Sequence, residues 1–209
     1  MPYVQSRYNV GRHSTFRIEG HLANDQRPTA NDLLADERQL TTNDGLAPAD
    51  DRRLTTDDRS DELFMQEALR DAQRALEMGE VPVGAVVVCD GNILAHGWNR
   101  NLTGNDPTAH AEIVALREAG AIVGNHRLGD CELFATIEPC AMCAGALVHA
   151  RIKRLVYGAD DPKAGAVHSV MQVLNHPQLN HRMELKGGVL AGRCAEVLQS
   201  FFRAKRESR

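Results

Sequence analysis

Hydrophobic residues recur with helical spacing from Asp61 onward. Their intervals of three and four residues place the side chains on one face of a helix. Gly79 and Pro82 follow and predict the end of this helix, because neither residue readily continues a regular helix. The apolar face consists of Leu63, Phe64, Ala68, Leu69, Ala72, Ala75 and Leu76. We therefore predict an amphipathic helix at the start of a regularly patterned region.

Two apolar runs, residues 83–89 and 93–98, come next along the chain. The short polar segment between them contains Asp90 and Gly91, and Asp-Gly is typical of a two-residue hairpin turn. The pattern therefore predicts two antiparallel strands joined by a tight turn.

Helices and strands alternate after this hairpin. A helix is predicted over residues 109–119 with Thr108 as its N-cap, which would place His110 and Glu112 in the first turn. Another helix is predicted to begin at Pro139, because proline is typical of a first helical position, and it would carry both cysteines of the motif PCAMC. Two helix starts would then face each other across one site.

Three more strands and a closing helix complete the predicted elements. The strands are expected at residues 132–136, 154–157 and 183–185, and the amphipathic helix at residues 195–204. The first strand pair is a hairpin, whereas later strands are joined through helices, so the sheet should be mixed. The fold class is therefore predicted to be α/β, with three layers and a central mixed five-stranded sheet flanked by helices.

Residues 1–60 differ in kind from the rest of the chain. They are rich in Asp, Arg, Asn and Thr and have no sustained helical or alternating period, so we predict a largely disordered, low-complexity extension. This segment holds 8 Lys and Arg against 10 Asp and Glu, so it has no strong charge to attract nucleic acid. Residues 61–209 are predicted to form the folded domain.

Composition favours a soluble protein in a reducing compartment. Of the 209 residues 43% are hydrophobic, yet no segment approaches the ~20 apolar residues of a membrane span. The first residues, MPYVQSRYNVGRHS, lack the apolar core of a signal peptide, which favours the cytoplasm. The five cysteines are accordingly interpreted as metal ligands or core residues and not as disulfides.

The motif HAE, followed after 30 positions by PCAMC, carries the candidate chemistry. Imidazole and two thiolates suit tetrahedral Zn²⁺, and three protein ligands leave a fourth position open for water. The ligands are then His110, Cys140 and Cys143, while Glu112 is a carboxylate that does not bind the metal. This HxE and PCxxC combination is the signature of zinc-dependent nucleobase deaminases.

A closed structural zinc site is the alternative interpretation of these residues. It would require a fourth ligand, for which Cys89, Cys131 and Cys194 are the candidate cysteines. None of the three forms a second CxxC pair, and Cys89 lies in an apolar run, where cysteine behaves as a small buried hydrophobe. An open, catalytic site is therefore favoured.

The expected reaction follows from these residue types. Zinc lowers the pKa of a bound water from about 15.7 to about 7. Glu112 would accept that proton, after which hydroxide attacks the ring carbon that bears an exocyclic amine. The same carboxylate would return protons to the ring nitrogen and to the leaving ammonia. Glu112 would thus act as a base and then as an acid.

Residues 61–209 closely resemble the bacterial tRNA-specific adenosine deaminases of the cytidine deaminase superfamily. The resemblance rests on VPVGAVVV, GWNR, DPTAHAEIVALR, EPCAMCAGALVHARI, YGADDPKAGA, LNHRMEL and FFRAKR, which occur in the family's order. It implies a cytidine-deaminase-like fold with one Zn²⁺ per subunit, and a homodimer that binds the tRNA anticodon stem-loop. The implied reaction converts the wobble adenosine to inosine.

The same resemblance implies roles for individual residues. It makes His110, Cys140 and Cys143 the zinc ligands and Glu112 the proton shuttle. The residues that it assigns to the substrate are Asn99, the backbone of Ala111, Asp161, Phe201, Phe202 and Arg203. The family often has other residues at Asn105 and Asp160, so the rim that contacts RNA is expected to differ here.

Charge is unevenly distributed in the region after residue 60. Residues 61–150 hold 5 Lys and Arg against 13 Asp and Glu, a net charge of −8, whereas residues 151–209 hold 11 against 5, a net charge of +6. A local basic region of this kind favours binding to RNA phosphates, although a merely solvated basic helix is the alternative.

Two other functions remain open at this point. A deaminase of a free base or nucleoside, of guanine or cytosine type, would share HxE and PCxxC, but the basic FFRAKR segment argues against it. A noncatalytic subunit that only presents RNA would be expected to lack the proton shuttle, yet Glu112 is present.

Overall fold

A computed structural model of the protein describes residues 56–208, which contain five strands and four helices. The strands are β1 (Gly84–Cys89), β2 (Asn92–Trp98), β3 (Cys131–Ile137), β4 (Arg154–Ala159) and β5 (Glu184–Lys186). The helices are α1 (Thr56–Glu77), α2 (Ala111–Val123), α3 (Ala141–Ala150) and α4 (Ala191–Glu207). All of the predicted elements are therefore present, although several begin at other residues.

The strands form one mixed sheet in the order β2-β1-β3-β4-β5. Strand β1 is antiparallel to both β2 and β3, while β4 is parallel to β3 and β5 is parallel to β4. The turn between β1 and β2 has positive φ at Asp90 (51°) and Gly91 (73°), as the Asp-Gly sequence predicts. The mixed five-stranded sheet is thus confirmed.

Helices cover both faces of this sheet, because successive strand residues point to opposite sides. Val86, Phe134 and Val156 pack with Phe64 of α1 and Cys194 of α4 on one face. The opposite face packs against α2 and α3, and its buried residues include Ala85, Val87, Leu133, Ala135, Leu155 and Tyr157. The three-layer architecture is therefore confirmed.

Gly97 allows α2 to approach the sheet closely. A Cβ atom at this position would collide with the backbone oxygen of Ala111 and the backbone nitrogen of Ala115. The absent side chain lets the first turns of α2 lie directly against β2. This contact positions the start of α2, where two of the candidate site residues lie.

Helix α1 begins at Thr56, five residues before the start that the apolar pattern suggests. Asp57 and Asp58 lie in its first turn, where the helix dipole favours negative charge, and Lys186 donates a 2.6 Å hydrogen bond to Asp58. Residues 56–60 of the predicted extension are therefore helical. Its other residues, 1–55, lie outside the described part of the chain, and the division at residue 60 stays a prediction.

The longest helices, α1 and α4, have 22 and 17 residues and carry many charged side chains. Within residues 56–208 no helix combines the length and the apolar character that a membrane crossing requires.

Cys89 and Cys131 form a disulfide, contrary to their interpretation as separate core residues. The antiparallel register of β1 and β3 places the two residues directly opposite each other, with their Cα atoms 4.4 Å apart. This separation lies within the range that a disulfide spans. Cys89 follows an apolar run along the sequence, and only the strand pairing reveals its partner.

A network of ion pairs connects helix α1 to strands β3, β4 and β5. Arg154, at the start of β4, donates two hydrogen bonds of 2.7 Å to Asp61 of α1 and one of 2.9 Å to Glu132 of β3. Its Nε also donates to Glu184 of β5 at 3.0 Å, and Lys186 donates to Asp61 at 2.6 Å. Asp61 is buried, so its bidentate pairing with Arg154 compensates for its lost hydration.

Replacing Arg154 with methionine is expected to lower the free energy of unfolding by about 3 kcal/mol, because Asp61 would remain buried without its bidentate partner. The matched control is Glu184→Gln, since the Glu184 side chain is 67% exposed and such pairs contribute at most about 1 kcal/mol. Urea denaturation of both variants measures the difference. Equal losses in the two variants would contradict the importance of the Asp61 pair.

Candidate metal centre and active-site pocket

The first half of the candidate site lies at the start of α2. His110 is the N-cap residue, with an extended backbone (φ −71°, ψ 154°), and Glu112 lies in the first helical turn. Thr108 is not the cap, contrary to the sequence prediction, because its hydroxyl and its N–H both donate to Asp106. The helix consequently starts at Ala111, two residues later than predicted, and the His110 side chain faces the cysteines instead of lying within the helix.

The second half lies at the start of α3 and has the same form. Cys140 is the N-cap residue, again extended (φ −72°, ψ 172°), and Cys143 lies in the first turn. Pro139 therefore precedes the cap and does not occupy the first helical position that the sequence predicts. The two helix starts face each other, as the sequence analysis anticipated, and each contributes its cap residue to the site.

Three potential metal ligands meet between these helix starts. The Nδ1 atom of His110 lies 3.6 Å from the Sγ atom of Cys140 and 3.6 Å from that of Cys143. All three atoms lie within 4.8 Å of one another. Zinc bonds of about 2.0 Å to nitrogen and 2.3 Å to sulfur place the two atoms of a tetrahedral site about 3.5 Å apart. The donor set and its spacing therefore fit zinc.

The other three cysteines are remote from this cluster. Cys89 and Cys131 are bonded to each other, and Cys194 is buried beside Phe64 on the other side of the sheet. Among residues 56–208 the cluster contains no fourth histidine, cysteine or carboxylate ligand. The described residues thus favour a site with one open coordination position, as catalysis requires.

Hydrogen bonding within the cluster favours a thiolate. The bond from Cys143 lowers the pKa of Cys140 to about 3, and the same bond raises the pKa of Cys143. The hydrogen bond between His110 and Cys140 raises the pKa of His110. A helix start with its unpaired N–H groups further stabilises negative sulfur at the cap position. These hydrogen bonds thus favour the thiolate form of Cys140, which is the form that binds zinc.

Glu112 lies beside the cluster and is only 2% exposed. Burial raises the pKa of its carboxyl group, and the nearby positive charge of His110 opposes that rise. The side chain is not one of the three grouped metal ligands. A buried carboxyl group with a raised pKa next to a metal site suits proton transfer near neutral pH.

These residues open into a cavity of about 450 Å³, which is of the size that holds a small ligand. Its wall contains His110, Glu112, Cys140 and the buried side chain of Asn99. The Oδ1 atom of Asn99 accepts a 3.0 Å hydrogen bond from the N–H of Ala111. Asn99 therefore supports the first residue of α2, and its Nδ2 group is the part that remains for a ligand.

Ala111 is fully buried, and its N–H is already engaged by Asn99. The contact between its backbone and a base, which the resemblance implies, stays a prediction.

Of the four residues implied to contact RNA farther from the metal, two line the cavity. Asp161 and Phe202 belong to its wall, and the Phe202 side chain is 46% exposed. Phe201 packs edge-on against Phe202, with ring centroids 5.3 Å apart, and Arg203 is exposed; neither residue lines the cavity. The rim positions Asn105 and Asp160 are both exposed.

Two buried carboxylates in the cavity wall were not identified from the sequence. Glu80 accepts hydrogen bonds from the N–H groups of Leu102 and Thr103 and from the Thr103 hydroxyl, so it holds the loop after β2. Glu138 similarly accepts bonds from the loop after β4. Burial acts to raise the pKa of Glu138, but the hydrogen bonds from Ser169 and backbone N–H groups outweigh it and lower the pKa to about 2. For both residues, the sequence signal was a single acidic residue next to an apolar run.

Replacing Cys143 with alanine is expected to reduce bound zinc well below one per chain and to lower the melting temperature, because metal binding is coupled to folding. The control is Cys194→Ala, which removes a buried thiol far from the cluster and should keep full zinc content. Elemental analysis and thermal unfolding of the two purified variants check this. Full zinc occupancy in the Cys143 variant would contradict the ligand set.

The chain matches the family model of the cytidine and deoxycytidylate deaminase zinc-binding region over residues 58–159. That range contains all of the clustered residues. The tRNA-specific adenosine deaminase of Haemophilus influenzae is 48% identical over 150 residues, which represent 71% of this chain and 87% of the relative. The family model and the geometry together identify a zinc cofactor.

Solved structures are similar as well. One comes from a study of A-to-I editing by tRNA:A34 deaminases at the wobble position of transfer RNA. It is 46% identical, with a TM-score of 0.64, and the match covers 65% of this chain and 99% of that chain. The structure of NE0047 in complex with 2,6-diaminopurine is 25% identical, with a TM-score of 0.60, over 68% of this chain and 80% of that chain. The fold is cytidine-deaminase-like, and the chain belongs to the family of bacterial tRNA-specific adenosine deaminases, which are zinc-dependent hydrolytic enzymes.

Proposed function

We propose that this enzyme converts the adenosine at the wobble position of a tRNA anticodon to inosine. The observation that carries the proposal is the group of His110, Cys140 and Cys143 beside buried Glu112, with His110, Cys140 and Glu112 lining one cavity. The 48% identity to a tRNA-specific adenosine deaminase supports adenosine in tRNA as the substrate. The similarity to the structure from the tRNA:A34 study supports the wobble position.

The candidate metal ligands, Glu112 and Asn99 have separate roles in the proposed reaction. His110, Cys140 and Cys143 would hold the zinc, which when bound supplies an activated water at neutral pH. Glu112 accepts a proton from that water and passes protons to the ring nitrogen and to the departing amine. Water thus adds at the ring carbon, the C–N bond breaks, and ammonia leaves. Asn99 would hold the base through its Nδ2 group.

The shape of the cavity suits a base taken out of a single-stranded loop. Its volume of about 450 Å³ accommodates a small ring system, and Asp161 and Phe202 belong to its lining. Unstacked loop bases are commonly held by aromatic side chains and by polar contacts to their edges. Phe202 would therefore contact the target nucleotide or its neighbour, and Asp161 would contact the nucleotide adjoining the pocket.

Charge supports an RNA substrate of this kind. Residues 151–209 have a net charge of +6, and within them Arg203 follows Phe201 and Phe202 on α4, while Lys205 and Arg206 occupy the last turn of this helix. Phosphate contacts from such side chains would orient the stem-loop over the cavity, with affinity that falls as salt rises.

We also propose that the enzyme is a cytoplasmic homodimer with one zinc per subunit. The helices α2 and α3 border a groove whose apolar lining includes Ile113, Leu116 and Ala146. Ala146, on α3, is partly exposed in this groove. Apolar surface of this kind is typical of subunit interfaces, so a second copy of the chain would cover this face.

Replacing Ala146 with glutamate is expected to shift the enzyme from dimer to monomer, because the interface would then bury a charge without a partner. The control is Leu76→Glu, which alters an exposed apolar residue of α1 on the opposite side of the sheet. Light scattering coupled to size-exclusion chromatography reports the mass of each variant. A wild-type monomer, or an unchanged dimer in Ala146→Glu, would contradict this interface.

A substrate assay tests the proposed reaction. The purified enzyme is incubated with an anticodon stem-loop that carries a wobble adenosine and, separately, with free adenosine, guanine and cytosine. Inosine in the stem-loop alone is the expected result. The similarity to NE0047 bound to 2,6-diaminopurine makes a free purine the second candidate substrate, and ammonia release from a free base would establish that activity instead.

Glu112→Ala is expected to lower the rate of inosine formation by at least about 10²-fold while zinc content stays unchanged, because the carboxylate moves protons and does not bind the metal. Glu118→Ala, on the same helix, is the matched control and should keep wild-type activity. Near wild-type activity in Glu112→Ala would rule out its role as proton shuttle. Loss of zinc in this variant would instead make it a metal ligand.

A further inference from the structure

Glu138 is a buried charged residue of the cavity wall for which the proposed reaction has no use. It follows directly after β3, lies two residues before Cys140, and is only 1% exposed. Burial of a carboxylate is costly unless hydrogen bonds replace its lost hydration. The partners of this side chain therefore indicate what its burial achieves.

Five hydrogen-bond donors surround the Glu138 carboxylate, and all of them belong to the loop after β4. Its Oε1 atom accepts bonds from the N–H groups of Val167 (2.9 Å), His168 (2.8 Å) and Ser169 (3.1 Å). Its Oε2 atom accepts bonds from the Asp161 N–H (3.2 Å) and from the Ser169 hydroxyl. A single side chain thus joins both ends of residues 161–169 to the end of β3.

The loop that Glu138 holds faces the cavity on one side. Asp161, Lys163 and Ala164 belong to the cavity wall. The Asp161 side chain in turn accepts bonds from the N–H groups of Lys163 (2.9 Å) and Ala164 (3.2 Å). The position of this wall therefore depends on where the Asp161 backbone lies, and Glu138 contacts that backbone directly.

The other side of the loop contacts the segment that carries the first metal-binding cysteine. The Ala166 N–H donates a 2.9 Å bond to the Pro139 carbonyl, and Gly165 forms a β-bridge with Cys140. Gly165 allows this close approach, because a Cβ atom there would collide with the Glu138 carboxylate. The loop consequently contacts the Pro139–Cys140 segment on one side and forms part of the cavity wall on the other.

We propose that Glu138 is a positioning residue for substrate binding, whose carboxylate fixes the loop of residues 161–169 as the wall that receives the RNA around the target adenosine. This inference rests on the proposed function, since it assumes an RNA substrate. Glu138 does not contact the reacting atoms in this role. Its loss would therefore weaken binding of the stem-loop more than it slows the chemical step.

Glu138→Gln is the informative variant. An amide oxygen can still accept the three bonds from residues 167–169, but the amide nitrogen would face the Asp161 N–H, and two donors cannot bond. The Asp161 N–H therefore loses its hydrogen bond to residue 138, while the bonds from residues 167–169 remain. We expect KM for the anticodon stem-loop to rise about tenfold, as expected for one lost bond to a charged acceptor. The kcat value and the zinc content should change little.

Two further variants accompany it. Glu132→Gln is the matched control, because Glu132 is a carboxylate near the other end of β3, where its partner is Arg154, and it should leave KM unchanged. Ser169→Ala removes one of the five donors without leaving Glu138 exposed, and it should raise KM to a smaller extent. If Glu138→Gln fails to fold, the KM of Ser169→Ala tests the positioning role instead.

The outcomes separate the two proposals. A wild-type enzyme that does not deaminate the stem-loop refutes the proposed function itself. If the wild type is active, a fall in kcat or in zinc content with unchanged KM in Glu138→Gln overturns the positioning role, because Glu138 would then support the metal centre. An unchanged KM in both Glu138→Gln and Ser169→Ala overturns it as well. A selective rise in KM that Glu132→Gln does not share supports it.

Discussion

The site depends on one constraint: two helices must begin at the same point above the sheet, each with its cap residue extended. His110 and Cys140 occupy these cap positions, and both side chains are directed toward the gap between the helices. A cap residue inside the helix would point elsewhere, and the 3.6 Å spacing between imidazole and thiols would be lost. Gly97 makes the arrangement possible, because it lets α2 approach β2 without a side chain between them.

Asn99 and Asp106 form hydrogen bonds near the start of α2, where the cap residue His110 is a candidate metal ligand. A helix whose N-cap side chain binds a metal cannot use that side chain to satisfy its own first N–H groups. Asn99, at the end of β2, accepts the bond from Ala111 instead. The Asp106 side chain meanwhile accepts hydrogen bonds from the N–H and the hydroxyl of Thr108 in the turn before His110. Asn99 thus accepts the bond that the side chain of an N-cap residue would otherwise accept.

Buried carboxylates shape the cavity in the same manner on two sides. Glu80 holds the loop after β2, and Glu138 holds the loop after β4, each by accepting several hydrogen bonds from loop residues. Loops held by backbone N–H groups can vary in their outward side chains while their paths stay constant. The exposed residues Asn105 and Asp160 lie on these two loops. Side chains at the cavity rim can therefore differ while the position of the metal centre stays the same.

Local residue patterns were sufficient to predict the types of the elements, the hairpin at Asp90 and Gly91, and the candidate ligands, because these follow from periodicity, turn chemistry and metal preference.

Helix starts were less predictable. Thr108 and Pro139 both have good capping or starting propensity, yet contacts with Asp106 and the geometry at Cys140 move the starts. The disulfide between Cys89 and Cys131 depends on strand register, which joins residues 42 positions apart. Phe202 and not Phe201 reaches the cavity because of how α4 lies on the sheet, and Glu138 acquires its partners only when β3 and β4 pair. The sequence by itself determined the chemistry of the site, whereas tertiary packing decided its geometry, since long-range contacts select among conformations that are locally similar in energy.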